Sequence, residues 1–281
     1  MIRNDGSLHL YESETELRAA QKRWDVCQEY GIAHEHVRGE RLVELQPGIA
    51  SSIVAATFVP KWQTVSDPQQ VALFVAKHIQ DKGAKILMGE VKAIAPNGAG
   101  VKLTLSEGRD IFAKHVILAA GAWSAPLAKQ LGDDIPLETE RGYNTTLPTT
   151  AFDLRRQLIF GSHGFVATPL ATGIRIGGAV EFGGLKLPPN FKRSSAILTK
   201  AAQFLTGLNT SGGKQWMGFR PSTPDSLPVI GRSSASPAVS YAFGHGHLGL
   251  TQSAATALIV AEIVASTKPS IPLEPFRPNR F

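Results

Sequence analysis

A glycine-rich turn near the carboxyl end of the chain restricts most strongly how this sequence can fold. The stretch GHGHLG runs from Gly244 to Gly249, between a strand-like segment, AVSYAF, and a helix predicted from Thr251 to about residue 265. Apolar residues surround that helix almost completely, so it is predicted to be buried. A glycine turn in this position lets a ligand approach the backbone and the free N–H groups of the helix.

The spacing of GHGHLG is also that of the dinucleotide-binding fingerprint G-x-G-x-x-G. That motif lies between the first strand and helix of a βαβ unit and needs an acidic residue about 20 positions further on. Here Glu262 is too near, Glu274 lies beside prolines, and the chain ends at Phe281. We therefore reject the first-turn interpretation.

Three other interpretations of the turn stay open. The helix N-terminus could hold a phosphate, a carboxylate or a ring that becomes anionic when reduced. His245 and His247 could bind a metal ion, but alternate residues of an extended chain point in opposite directions and no third ligand follows at a suitable spacing. No metal site is therefore predicted. A tight turn that binds nothing is the third interpretation.

Arg220 is a second candidate site residue, in the stretch GFRPSTPDSLPVIG. It ends a short predicted strand, and a guanidinium gives planar, two-pronged recognition of a carboxylate. The alternatives are an ion pair with Asp225 or a surface role.

Hydrophobic periodicity predicts a mixed fold, α/β with an α+β portion. A capping box at Ser13 predicts a helix to about Tyr30, and Asp67 with Pro68 predicts a second helix to Gly83. The stretch from Ala84 to Ala120 reads as three strands. The last of them contains the run Val116–Ala120, which is apolar throughout, as in a strand buried on both faces. Residues 135–184 read as an antiparallel sheet. The predicted inward face of the second helix consists of Val71, Phe74, Val75 and Ile79.

Composition restricts partners and processing. The formal charge is +6 and the pI about 9.5, but the basic residues are scattered, which gives no indication of a nucleic-acid partner. Cys27 is the single cysteine, and its position on a helical face favours a small buried hydrophobe. No apolar run reaches the roughly 18 residues that a membrane span needs, and the first residues do not resemble a signal peptide.

Three motifs together resemble a known family. VILAAGAWS, GFRPSTPDSLPVIG and FGHGHLGLTQS, in this order, are similar to the FAD-dependent D-amino-acid dehydrogenase and D-amino-acid oxidase family, and most of all to its bacterial dehydrogenases. Weaker similarities (SLHLYESETEL, VSDPQQVALFVAKHIQDKGAKI, RGYNTTLP and FRPNRF) extend the resemblance over essentially the whole chain.

The resemblance implies two interwoven domains. Residues 1–65 and 126–220 would form the antiparallel substrate domain that covers the flavin, and residues 66–125 and 221–281 would belong to the FAD-binding domain. Arg220 would hold the substrate carboxylate, with Tyr143 as a second contact and His247 or His245 adjusting the proton balance. The implied FAD-binding residues are Val91, Ala120, Gly121, Trp123, Gly244, His245, Gly246, Gly249, Leu250 and Thr251.

The implied reaction is oxidation of a D-amino acid by hydride transfer to FAD, followed by hydrolysis of the imino acid to a 2-oxo acid and ammonia. The electron acceptor would be a quinone or oxygen. Such an enzyme would be cytoplasmic, or bound peripherally to the inner face of the membrane. A non-catalytic fragment or partner subunit, and a glycine or secondary-amine oxidase of the same fold, are the alternatives.

The chain departs from the family pattern in one respect. The family begins with its own G-x-G-x-x-G, which cradles the FAD pyrophosphate, and no such segment occurs here. The resemblance therefore predicts a fold that is incomplete at its N-terminus. It also predicts that Val116–Ala120 has an exposed edge and an open apolar face, and that activity depends on another chain that supplies the missing part.

Overall fold

The structure is a computed structural model, and it describes residues 1–98 and 100–281. The helices are α1 (Glu14–Ala19), α2 (Gln21–Glu29), α3 (Gly39–Leu45), α4 (Pro68–Asp81), α5 (Ser124–Gln130), α6 (Lys192–Phe204) and α7 (Gly249–Val264). None of these helices in the described ranges combines the length and apolar character that crossing a bilayer requires.

The strands are interspersed with these helices, and β6 to β9 and β10 to β13 follow one another with no α-helix between them. They are β1 (Ile2–Arg3), β2 (Ser7–Tyr11), β3 (Glu35–Arg38), β4 (Ala55–Val59), β5 (Thr64–Val65), β6 (Val91–Asn97), β7 (Gly100–Leu105), β8 (Asp110–Ala113), β9 (Val116–Leu118), β10 (Glu138–Leu147), β11 (Gln157–Phe160), β12 (Phe165–Leu170), β13 (Gly173–Phe182), β14 (Lys214–Ser222), β15 (Val229–Arg232) and β16 (Val239–Phe243).

The chain divides into two compact units, each made of three segments. The first unit contains Met1–Ala84, Gly142–Val180 and Pro188–Gly218, and the second contains Lys85–Arg141, Glu181–Leu187 and Phe219–Phe281. These boundaries differ from the domain boundaries predicted from the sequence. Residues 66–84 group with the first unit and residues 126–141 with the second.

An eight-stranded sheet dominates the first unit, in the order β14-β10-β13-β12-β11-β2-β4-β3. One face of it carries the main core of the unit. Leu8, Leu158 and Ile176 from the strands pack there with Ala201 and Phe204 of α6 and with Leu42 of α3. Most neighbouring strands with a recorded register are antiparallel, as predicted, but β2 and β11 are parallel.

The second unit contains two three-stranded sheets, β15-β16-β9 and β6-β7-β8. β9 runs parallel to β16, and β15 runs antiparallel to it. Its core joins the two sheets to α5 through Ile94, Leu118, Leu131 and Tyr241, among others. α7 packs on β15 through Ile259, Val260 and Ile263, which contact Ile230.

Several predictions of burial were wrong, and the exposed residues share a physical cause. Phe74 is 59% exposed and Val75, on the same helix, is 52% exposed. Leu258, on α7, is 55% exposed. In each case the periodicity correctly indicates an apolar face, but no described residue covers it. Among the described strands, β9 pairs only with β16, and Ile117 of β9 is 47% exposed. The exposed edge and the open apolar face that were predicted for β9 are therefore both present.

Two predictions of secondary structure also need correction. The helix predicted from Ser13 to Tyr30 is divided at Ala20 into α1 and α2, although Ser13 caps α1 as expected and Gly31 adopts a left-handed φ of 72°. The strand predicted from Ala84 begins only at Val91. Cys27, predicted to be buried, is half-buried.

A buried carboxylate links the β15-β16-β9 sheet of the second unit to the loop after α5. Asp133 Oδ2 accepts hydrogen bonds from Tyr241 Oη at 2.6 Å, from Ser233 Oγ at 2.8 Å and from the Ser234 backbone N–H at 3.1 Å. Burial raises the pKa of Asp133, but these hydrogen bonds outweigh burial, and the net pKa lies below the ordinary value.

We expect the Asp133 carboxylate to make the free energy of unfolding depend on pH in the acidic range. Because the folded-state pKa is lowered, the stabilisation is complete above the unfolded-state pKa of about 4 and is lost as the pH falls below it. Asp133→Asn should reduce the free energy of unfolding by about 1–3 kcal/mol at neutral pH. It should also reduce the loss of stability between neutral pH and about pH 3, measured by urea unfolding. Asp134→Asn is the control, because Asp134 is exposed and its carboxylate pairs, within the described residues, with the exposed Lys129. An unchanged acid dependence in Asp133→Asn would contradict the assignment.

Candidate functional site

The glycine turn joins β16 to α7 with a backbone that only glycine adopts easily. Gly244 has a φ of 83° and Gly246 a φ of 53°. A Cβ atom at Gly244 would lie 3.1 Å from Thr223 Cγ2, so that position is also crowded. Glycine is required here both by conformation and by close approach.

Two backbone interactions hold this turn against the end of β14. Ser222 and His245 form an isolated antiparallel bridge, and the Gly246 N–H donates to the Pro221 carbonyl oxygen at 2.8 Å. Pro221 and Ser222 directly follow Arg220. The structure therefore brings together the two candidate features that the sequence places about 25 residues apart.

The start of α7 offers unpaired hydrogen-bond donors. The N–H groups of Gly249, Leu250 and Thr251 have no acceptor among the described residues, and no side chain caps the helix. In the same first turn, Gln252 Oε1 is buried and has no partner within the described part of the chain. Free amides at a helix N-terminus carry partial positive charge and suit an electron-rich or anionic group.

The two histidines of the turn have different environments. His245 is half-buried, its Nε2 lies 2.9 Å from Thr256 Oγ1 on α7, and burial lowers its pKa. The hydrogen bond between neutral His245 and Thr256 therefore holds the turn against α7. His247 is exposed and forms no hydrogen bond with the described residues. The ranges that the structure describes contain no group of three or more potential metal ligands.

Arg220 is a half-buried cation that has no partner in the described part of the chain. Its guanidinium forms no hydrogen bond or ion pair with any residue that the structure describes, and burial lowers its pKa while the Glu140 carboxylate opposes that shift. The alternative ion pair with Asp225 is not formed. Asp225 instead forms an ion pair at 2.7 Å with Arg280, which lies in the closing FRPNRF stretch. A desolvated cation without a counter-ion is costly and is suited to bind an anion.

The end of β9 lies close to the residue that precedes Arg220. After Ala120, Gly121 adopts a φ of 57° and begins a turn of 3-10 helix that presents Trp123, which is 54% exposed. The Trp123 ring meets the Phe219 ring edge-on, with centroids 5.4 Å apart. The Arg141 guanidinium lies 5.7 Å from the centroid of the same Phe219 ring.

Two cavities in the second unit adjoin β9. One, of about 880 Å³, is lined by Val91, Ala120 and Trp123, three of the predicted cofactor residues. The other, of about 680 Å³, is lined by His245 and Gly249. Ile117 and Ala119 line both cavities. Predicted cofactor residues from two distant parts of the sequence, residues 91–123 and 245–249, therefore surround the same short strand.

Tyr143 belongs to the first unit and is completely buried. Its Oη accepts a hydrogen bond from the Asn190 backbone N–H at 3.0 Å, and its ring lies edge-on to Phe191. A role in substrate binding stays a prediction. Sequence reasoning missed Phe219, Glu140 and Arg141. Of these three residues, only Phe219 could have been found from the sequence, because it is an aromatic residue directly before Arg220.

Comparison with known proteins places this architecture in a class. The fold is the mixed α/β fold of flavoenzymes. It superposes on glycine oxidase from Geobacillus kaustophilus with a TM-score of 0.90 and 22% identity, over 100% of this chain and 76% of that one. L-proline dehydrogenase from P. horikoshii gives a TM-score of 0.87 at 22% identity, over 100% of this chain and 77% of that one.

The chain belongs to the DAO family of FAD-dependent oxidoreductases, whose family model matches residues 1–263. It is 30% identical to a D-amino-acid oxidase of Bradyrhizobium diazoefficiens over 100% of its own length and 68% of the relative's. It is 28% identical to a D-amino acid dehydrogenase of Neisseria meningitidis over 99% and 68% of the respective lengths.

The described residues fit one side of an FAD molecule. The exposed Trp123, the two cavities beside β9 and the three free amides of α7 provide space and donors for an extended ligand with an electron-rich ring. The orphaned Gln252 Oε1 is a further group that a ligand could satisfy.

Two arginines of the second unit allow a direct test of the uncompensated charge. Arg141 is 0% exposed and donates to the carbonyl oxygens of Gly184 and Leu187 at 2.7 and 2.6 Å. We expect Arg141→Met to reduce the free energy of unfolding by about 3 kcal/mol, because buried acceptors lose their donor. Arg220→Met should change it by less than about 1 kcal/mol or increase it, since an unpaired charge is removed. Thermal unfolding of both variants measures the difference. Equal destabilisation would show that Arg220 has a structural partner.

Proposed function

We propose that this chain forms the flavin-ring and substrate-carboxylate side of an enzyme that oxidises a D-amino acid to a 2-oxo acid and ammonia. The observation that carries the proposal is Arg220, a half-buried guanidinium with no counter-ion among the described residues. Its neighbours Pro221 and Ser222 are hydrogen-bonded to the glycine turn. The relatives named as D-amino-acid oxidase and dehydrogenase support the substrate class.

Arg220 would bind the substrate carboxylate through two parallel N–H donors. Binding fixes the orientation of the amino acid, and orientation is the main contribution that a protein makes to hydride transfer. FAD, when bound, accepts the hydride that leaves the substrate Cα. The free amides of Gly249, Leu250 and Thr251 would stabilise negative charge on the reduced ring.

The proton balance of this reaction needs no dedicated base if the substrate amine binds in its neutral form. His245 is held by Thr256 and is suited to a positioning role. His247, which is exposed, is the histidine of the turn that is available to exchange a proton with solvent.

We further propose that a βαβ segment grips the FAD pyrophosphate, either elsewhere in the same polypeptide or in a partner chain. Among the described residues, the free edge of β9 and the exposed Ile117 provide a place where such a strand could pair. An unpaired apolar edge is unfavourable in water, and pairing would remove that cost.

A second candidate is oxidation of glycine or a secondary amine. The observation that favours it is the close superposition on a glycine oxidase. Arg220 would serve either substrate, because both carry the same carboxylate. A non-catalytic role as a fragment or partner subunit is the third candidate.

Flavin binding and substrate profiling test these candidates. Purified protein, alone and after addition of the N-terminal segment of a relative, is measured for flavin absorbance. D-alanine, L-alanine, glycine and sarcosine are then compared with oxygen or a dye as acceptor. Preference for D-alanine supports the proposal, and preference for glycine or sarcosine supports the second candidate. Failure to bind FAD under both conditions leaves the non-catalytic role.

Arg220 variants test the carboxylate contact. Arg220→Met should raise the KM at least about tenfold, because a charge-assisted hydrogen-bonded pair is worth about 1.5–3 kcal/mol. Arg220→Lys should recover part of the loss, since a lysine keeps the charge but not the planar fork. Arg109→Met is the control, an exposed arginine of the same unit that pairs with Glu107. An unchanged KM in Arg220→Met would refute the role.

A further inference from the structure

A cationic cavity lies wholly within the first unit and shares no lining residue with the candidate site described above. It has a volume of about 920 Å³ and is lined by Arg175 of β13, Thr146 of β10, Lys214 and Trp216 of β14, and Asp67 at the start of α4. The charged residues of its lining are two cations and one carboxylate, so its lining carries a net positive charge.

Arg175 has unused donors in this cavity. It is half-buried, and the hydrogen bond that its side chain forms within the described residues is from Nε to Thr146 Oγ1 at 3.3 Å. Burial lowers the pKa of its guanidinium, and Asp67 opposes this shift without approaching to ion-pair distance. Both Nη groups are therefore free to donate to a ligand.

The carboxylate in the cavity is already occupied. Asp67 Oδ1 accepts hydrogen bonds from the backbone N–H groups of Gln69 at 2.8 Å and Gln70 at 3.3 Å, and so caps α4. A carboxylate that satisfies a helix N-terminus is less available to neutralise a neighbouring arginine. Arg175 thus stays uncompensated, as a cation does at an anion site.

Trp216 supplies a flat apolar surface to the same cavity. Its side chain is 59% exposed, although tryptophan usually buries most of its surface. The ring lies over Gly218, where a Cβ atom would be 2.1 Å from the ring carbon Cη2. The absence of a side chain at Gly218 therefore lets the indole lie along the strand.

From this arrangement we propose that the cavity binds a small planar aromatic molecule that carries a phosphate or carboxylate group. Arg175 and Lys214 bind the anionic group, and the exposed face of Trp216 stacks against the ring. The site uses no residue of the proposed flavin and substrate site, so it extends the function of the chain beyond that reaction.

Binding of phenyl phosphate, benzoate, inorganic phosphate and phenol to the purified chain tests the proposal. Isothermal titration calorimetry measures affinity, and quenching of tryptophan fluorescence reports stacking. Phenyl phosphate or benzoate should bind saturably and more tightly than either inorganic phosphate or phenol, because both parts of the site contribute. Comparison of the affinities for phenyl phosphate and benzoate shows whether the site prefers a phosphate or a carboxylate group. Absence of saturable binding of both aromatic anions up to about 10 mM would overturn the proposal.

Variants assign the binding to this cavity. Arg175→Gln should weaken binding of the preferred aromatic anion at least about tenfold, as expected for loss of a charge-assisted hydrogen bond. Trp216→Phe should remove the fluorescence signal and keep measurable binding by calorimetry. Lys61→Gln, an exposed lysine of the same unit, is the matched control and should leave binding unchanged.

Two further measurements keep the test independent of folding and of the proposed reaction. Thermal unfolding confirms that each variant is folded, and Arg175→Lys replaces Arg175→Gln if the latter is not. Arg220→Met should bind the aromatic anion as tightly as the unaltered chain does. Equal affinity in the Arg175 variant, or loss of binding in Arg220→Met alone, would contradict the assignment to this cavity.

Discussion

The contact between the glycine turn and the end of β14 is the constraint on which the candidate site depends. The Gly246 N–H and the bridge from Ser222 to His245 join them through backbone atoms alone. Backbone bonds leave the side chains of the site free to meet a ligand. They also require the left-handed conformation of Gly244 and Gly246, because other residues are strained there. Arg220 and the free amides of α7 are consequently held on segments whose separation is set by the fold, and not by mobile side chains.

The same unit also shows which apolar surface the described residues leave uncovered. α7 packs through Ile259 and Ile263, whereas Leu258 on its other side is exposed. β9 likewise buries Leu118 and exposes Ile117. Such surface weakens the fold in water and favours association with further polypeptide. Pairing of a further segment with β9 would therefore be thermodynamically favourable, independently of the family resemblance.

The sequence predicted the local features well because they depend on local chemistry. The cap at Ser13, the helix start at Asp67 and the glycine turn follow from residue types at fixed spacings. The family and fold followed from three motifs. The exposure of Phe74 and Leu258 could not be predicted, since periodicity shows which face is apolar and not whether anything covers it. The partners of Arg141 and Asp225 were equally hidden, because Gly184, Leu187 and Arg280 are remote in sequence and carry no pattern that would pair them.

Arginines of similar sequence context show why contacts, and not residue type, identify a binding site. Arg141 is fully buried and donates to two carbonyl oxygens, so its guanidinium stabilises the local structure. Arg220 and Arg175 are half-buried, and each has guanidinium donors that no described residue accepts from. A fold optimised only for stability would pair or expose these groups. Each unpaired guanidinium lowers stability, and an anion from outside the chain would offset that cost. This holds both for Arg220 at the site proposed for the substrate and for Arg175 in the cavity beside Trp216.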